Sequence, residues 1–236
     1  EGQARIEQLE LAELGRVVGP EAPVEARVEQ GQLIVPPTVL QLGPDRLRIA
    51  GRFPLITGAP PGLIEVEGEF NVEELLKYFP QLGQYTARGR ARVDLTLTGT
   101  PQQLVPEGTI AVQNAYFDAP WLELPIEEIS LQARVMNGLA YIETANAAWA
   151  GAIITASGNV PLAFLPGNLP IVAPAGAGPA SLVVDVDSLR LGALQAAPDR
   201  VGGTVSFHLE ASAPRPELEA IDARLHMLKV HKPYHE

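Results

Sequence analysis

The chain has 236 residues, 46% of them hydrophobic but only 6% aromatic, with 22 Gly, 22 Pro, no Cys and a formal net charge of −11. That charge leaves no basic footprint for nucleic acid and disfavours attraction to an anionic membrane surface. The lack of Cys removes disulfide frameworks and thiolate metal sites. No window approaches the roughly 18 apolar residues of a membrane span, and no signal peptide is present. Residue 1 is Glu, which suggests a processed chain or an excised piece whose anchor or export signal lies outside it.

Short apolar runs separated by Gly and Pro predict an all-β architecture. Residues 4–11 (ARIEQLEL) alternate as a strand, and 15–23 read as a loop. Residues 24–29 alternate again, Gln30-Gly31 offers a tight turn, and the return strand begins at 33–35. Pro36-Pro37 interrupts it, as at an edge or bulge. Residues 46–53 form a further alternating run, followed by a loop over 57–62.

In LIEVEGEF (63–70), Glu65, Glu67 and Glu69 share one strand face, with Ile64, Val66 and Phe70 on the other. Asn71 then caps a short helix, VEELLKYF, stopped by Pro80. Over 88–97 the sides are Arg88, Arg90 and Arg92 against Ala91, Val93, Leu95 and Leu97. The two charge rows are either solvated faces or a Glu–Arg ladder across paired strands.

Residues 108–162 read as four or five short strands in succession, with Asn137-Gly138 the strongest hairpin signal in the chain. Residues 166–180 read as an extended loop, 181–186 as a strand, 188–197 as a second short helix, 203–212 as a strand and 218–227 as a last strand.

The pattern repeats. Gly31 to Gly51 spans the same interval as Gly138 to Gly158, and Pro54-Leu55 answers Pro161-Leu162, at an offset of 107. A second match sets the helix at 72–79, Gly89 and Leu104 beside 188–197, Gly203 and Leu218, at about 114. The expected units are 4–103 and 104–225, with a tail at 226–236. Shared β-turn grammar without true repetition is the alternative. Tandem units of this kind stack so that each buries its neighbour's open face.

Leu97-Thr98-Gly99-Thr100, the run 108–115 (GTIAVQNA) and Gly151 with 158–162 (GNVPL) carry a resemblance. They are similar to the repeats of the TamB/AsmA-like family, the repeating β-groove or bridge-like proteins, over most of 4–225. The resemblance implies a long antiparallel sheet curled lengthwise into an open taco or trough with an apolar concave face. It further implies a place in the periplasm of a diderm bacterium, in a full protein anchored in the inner membrane. Implied roles are phospholipid transport between the membranes and outer-membrane protein assembly and secretion, with a barrel of the BamA/TamA type as partner through regions absent here. The tail HKPYHE (231–236) matches nothing in that pattern.

Physics leads to the same expectation. An amphipathic sheet must cover its apolar face, and two short helices cannot cover about twelve strands. Phospholipid acyl chains could do so, each buried methylene contributing about 0.8 kcal/mol. The residues expected to line the groove are Val93, Leu95, Leu97, Ile110, Val112, Ile129, Leu131, Ala133, Val135, Ile154, Ala156 and Val160. Ala133, Ala156 and Gly158 either leave room for a ligand or serve sheet curvature. The alternative architecture is a closed β-sandwich, acting as a structural or adhesion module without a ligand.

No catalytic constellation, metal site or cofactor motif emerges, so no enzyme is expected. His226, His231 and His235 could be read as a zinc site but fit a frayed tail better. His208 reads as a surface or satisfied core histidine. Asp185 and Asp187 lack a calcium-loop pattern. Gly176-Ala177-Gly178 is no phosphate loop, and Ser157 sits in no nucleophile elbow. Trp121 and Trp149 are expected in the core, with the groove rim as the alternative.

Overall fold

A computed structural model describes residues 2–6, 9–11, 16–21, 23–56, 58–76, 83–100, 103–162, 179–194, 202–214 and 220–231. The strands are β1 (Gly2–Ile6), β2 (Leu9–Leu11), β3 (Arg16–Pro20), β4 (Val24–Glu29), β5 (Gln32–Leu42), β6 (Asp45–Pro54) and β7 (Gly62–Asn71). The five-residue helix α1 (Val72–Leu76) follows. Then come β8 (Thr86–Thr100), β9 (Gln103–Asp118), β10 (Ile126–Met136), β11 (Leu139–Trp149), β12 (Ala152–Pro161) and β13 (Ala180–Arg190). A 3-10 turn at Leu191–Ala193 leads to β14 (Thr204–Ala213) and β15 (Asp222–His231).

These strands make one 15-stranded sheet in which β1 pairs β4 and neighbours then follow in chain order to β15. All pairs are antiparallel. The sheet is not closed into a barrel. Its two edges, β1 and β15, stay apart, and it curls into an open trough. The chain exposes 15076 Å², against about 10,000 Å² for a compact monomer of its 25.2 kDa. A single open layer has this property. Among the described residues the two facing sheets of a closed sandwich are not formed.

Two-residue turns set the hairpins. Gln30 and Gly31 lie at φ 50° and 75°, Asn137 and Gly138 at 54° and 74°, the twist that matches antiparallel strands. Curl has a local cause at Gly51, Gly108 and Gly158, whose φ values of 139°, 140° and 133° are open to glycine alone. A Cβ on these residues would overlap the carbonyl oxygens of Leu63, Asp94 and Ser181. The glycines therefore let the neighbouring strand bend in close.

The pairings repeat more faithfully than the residues do. Leu33↔Phe53, Val35↔Gly51 and Thr38↔Ile49 of β5–β6 become Ala140↔Val160, Ile142↔Gly158 and Ala145↔Ala156 of β11–β12, each shifted by 107. The bulges coincide. So do the closing bonds, with Leu55 N–H donating to Gly31 O at 2.8 Å and Leu162 N–H to Gly138 O at 2.9 Å. Ile49↔Val66 of β6–β7 corresponds to Ala156↔Val184 of β12–β13, and Val66↔Leu95 of β7–β8 to Val184↔Leu209 of β13–β14.

Several expectations change. Residues 16–20, read within a loop, form β3, which pairs with β2 and, at Gly19↔Gln41 and Pro20↔Leu40, with β5. The helix expected over 188–197 is strand to Arg190 and then a single 3-10 turn. Ser188, at φ 63°, absorbs a bulge there and carries the strand onward. The other expected helix is α1, opened by Asn71, whose Oδ1 accepts from Glu73 N–H at 3.0 Å. Residues 226–231, read as the start of the tail, complete β15. The expectations for residues 77–80, 163–178, 195–200, 215–219 and 232–236, including Gly176, Gly178 and His235, lie outside the described residues.

Candidate functional site

Residues directly opposite in an antiparallel pair project to the same face, so register alone sorts the side chains. One row runs Ile49, Val66, Leu95, Gly108, Val135, Ala140, Val160 across β6 to β12. The next runs Gly68, Val93, Ile110, Ala133, Ile142, Gly158, Leu182. A third runs Ala91, Val112, Leu131, Ala145, Ala156, Val184, Leu209. Leu97 opposes Ile64, Ile129 opposes Ala115, and Ile154 opposes Ala147 and Val186. All twelve groove residues named from the sequence thus share one face.

Only two of the twelve are buried, Ala133 and Val135, the latter at 2% exposure. The other ten are half-buried. Central positions of a closed core would be dry, so this face is sheltered by curvature and stays reachable. Many of its fully buried residues are alanines, such as Ala26, Ala91, Ala115 and Ala152. The sequence reading missed Ile49, Ala145, Ile142, Val184, Val186, Phe207 and Leu209 as members of the same rows. Their signal was period-2 alternation extended through the pairing, which needs the register to be known.

The opposite face is charged. Arg48 lies 3.7 Å from Glu67, Arg90 2.6 Å from Glu69 and Arg134 2.8 Å from Glu143. Of the Glu row of β7 and the Arg row of β8, Glu69 and Arg90 pair and Glu69 also lies opposite Arg92, while Glu65 and Glu67 lie opposite Thr96 and Asp94, so the rows are mainly solvated faces with one rung of a ladder. Each exposed pair contributes about 0–1 kcal/mol. On β13–β14, His208 Nδ1 sits 2.7 Å from Asp185 Oδ1, with Nε2 3.3 Å from Glu210 Oε1. These hydrogen bonds, Asp185 first and Glu210 second, raise the imidazole above its ordinary value. Hydroxyls of Ser206 and then Ser188 hold the Asp187 carboxyl below its own. These groups pin the bulge at Ser188, whose N–H donates to Ser206 Oγ at 3.0 Å.

The tryptophans separate. Trp121 is 69% exposed in the β9–β10 connection, tilted against Phe117, which stacks on Tyr85. It is not in the core, because it lies past the end of β9 in a connection that faces solvent. Trp149 is half-buried against the cluster of Ala152, Val186 and Leu189, and its Nε1–H donates to Leu124 O at 3.0 Å. Pro36-Pro37 opens the wall as expected of a bulge. The ladder between β5 and β6 skips from Val35 to Thr38, and β4 leaves β5 after Arg27↔Ile34. A cleft of about 680 Å³ opens there, lined by Val24, Ala26, Ile34, Pro36 and Thr38 among others.

Among the described residues no group of three or more His, Cys, Asp or Glu is arranged to hold a metal ion. His226 and His231 lie in β15, where His226 opposes His208. No described helix is long and apolar enough to cross a membrane. Comparison with family models, curated proteins and solved structures returned no match.

Proposed function

We propose that the apolar face of this trough carries phospholipid acyl chains, as a segment of an envelope-spanning periplasmic protein of the TamB/AsmA-like kind. The observation that supports it is the unbroken set of apolar rows crossing the sheet on one face, half-exposed and without a covering layer among the described residues. The magnitudes are adequate. Burying about ten methylenes from each of two chains is worth about 16 kcal/mol. Association costs of about 4–15 kcal/mol oppose it, so net binding needs no specific polar contact. A lengthwise apolar groove suits transfer along the sheet better than retention at one point. Assistance to outer-membrane protein assembly belongs to the same reading through the family pattern carried by 97–100, 108–115 and 158–162.

The test is organic extraction of the purified chain followed by mass spectrometry. Co-purified phospholipid, lost on Val112→Asp and kept on Gln113→Asp, is expected. Lipid-free protein that also fails to bind a fluorescent phospholipid returns the reading to a structural module.

A further inference from the structure

We infer that the free edge of β15 is a docking site for one kind of partner: an extended antiparallel strand patterned like β4 and β10. This edge is independent of the acyl-chain reading, because strand pairing and the exposure of β15 define it without any bound lipid.

Its basis is a six-strand block. Arg27↔Ile34 and Val28↔Leu33 of β4–β5 recur as Arg134↔Tyr141 and Val135↔Ala140 of β10–β11. One strand earlier, Ala4↔Ala26 and Ile6↔Val24 of β1–β4 recur as Ile110↔Ala133 and Val112↔Leu131 of β9–β10. The first block is therefore β1 and β4 to β8, with β2–β3 inserted, and the second is β9 to β14. At the far end, Leu95↔Gly108 and Val93↔Ile110 of β8–β9 recur as Leu209↔Leu225 and Phe207↔Met227 of β14–β15. β15 is thus the third occurrence of the strand that opens a block, after β1 and β9.

Both earlier occurrences have a second-position strand on their far side, β4 on β1 and β10 on β9. β15 has none among the described residues. The consequence appears in exposure. Ile110 and Val112 of β9 are half-buried, whereas Leu225, Met227 and Val230 on the corresponding face of β15 are 60%, 67% and 55% exposed. An unpaired edge strand with an exposed apolar face is a template for strand addition.

The block also specifies the occupant. In β4 and β10 the inward residues are small or branched, Ala26 and Val28 against Ala133 and Val135, with an Arg between them on the outer face, Arg27 and Arg134. Carried onto β15, the small residue falls opposite Met227, the Val opposite Leu225 and the Arg opposite His226. A second copy does not supply this through its free β1. That strand is itself a block opener, and its free side corresponds to the side on which β9 receives β8.

The experiment is hydrogen exchange by mass spectrometry on the whole chain with two synthetic peptides, Ile126–Met136 and Thr204–Ala213. A control swaps each inward residue of the first peptide with its outward neighbour. The first peptide is expected to slow exchange over 222–231 at least five-fold and leave 2–6 unchanged. The second does the reverse, and the control does neither. Because a short peptide loses entropy on docking, a second form appends residues 119–149 after Glu236, and there β15 should become as protected as β9. The inference is overturned if the appended strand leaves β15 exchanging as before. It is equally overturned if both edges respond alike to both peptides, or if sedimentation shows two copies already pairing through β15.

Discussion

The two blocks agree where they face the trough and differ where they face water. The inner row Ile49, Val66, Leu95 has its counterpart in Ala156, Val184, Leu209, apolar throughout. The outer row one residue away is Arg48, Glu67, Asp94 in the first block and Thr155, Asp185, His208 in the second. A single cross-strand ion pair, Arg48–Glu67, with Asp94 beside it, has been exchanged for a carboxylate–imidazole cluster with no change in register. Turns, bend glycines and inner-face apolarity therefore specify the fold, while the outer face needs only to be wet. A slip of one residue would exchange the faces, and that cost holds the register when identity between copies is low.

The largest test of this lies at the bends. Gly51→Val and Gly158→Val should each destabilise by about 3 kcal/mol or more, and by equal amounts, because both force a side chain into a left-handed φ against backbone. Gly192→Ala, with open space around it, should stay within about 0.5 kcal/mol. Denaturant unfolding reads all three. Next comes the inner face. Val135→Ala should cost about 2 kcal/mol, and its counterpart Val28→Ala less, since Val28 is only half-buried. Ile153→Ala, exposed on the outer face, should be nearly neutral.

A smaller contrast separates the block connections. Asn71→Ala removes the cap of α1 and should cost about 1 kcal/mol. Arg190→Ala should cost less, because Arg190 makes no side-chain cap to the 3-10 turn. The smallest effect is pH-dependent. His208 is held above its ordinary 6.5, so its contribution is full below that value and disappears as pH rises through the raised one. His208→Gln should lower the melting temperature by about 2 °C or less in mild acid and leave it unchanged at alkaline pH. The first block, without a histidine in that row, should show no such difference.

Much of the fold was legible because alternation is a local signal. The strands at 24–29, 46–53, 63–70 and 203–212 were visible in single stretches, as were the Gln30-Gly31 and Asn137-Gly138 turns. Residues 16–20 were not, since RVVGP lacks alternation and meets the main sheet at Gly19 and Pro20, opposite β5. Residues 188–193 misled because SLRLGA carries helix-compatible spacing while the pairing with β14 holds it extended. Trp121 was placed inside from residue type alone, and nothing local reveals that its connection turns outward. The twelve groove residues were legible as strand faces. Their union into one surface depended on bulges at Asn114 and Glu128, which local periodicity does not register.

Photo-crosslinking along β9 shows whether acyl chains lie on the inner face. A benzophenone side chain is placed in turn at Thr109, Ile110, Ala111 and Val112 in cells, and adducts are analysed for lipid. Phospholipid adducts are expected at 110 and 112 and none at 109 and 111, following the two faces of the strand. Adducts at all four positions, or at none of them in folded protein, would contradict the acyl-chain reading.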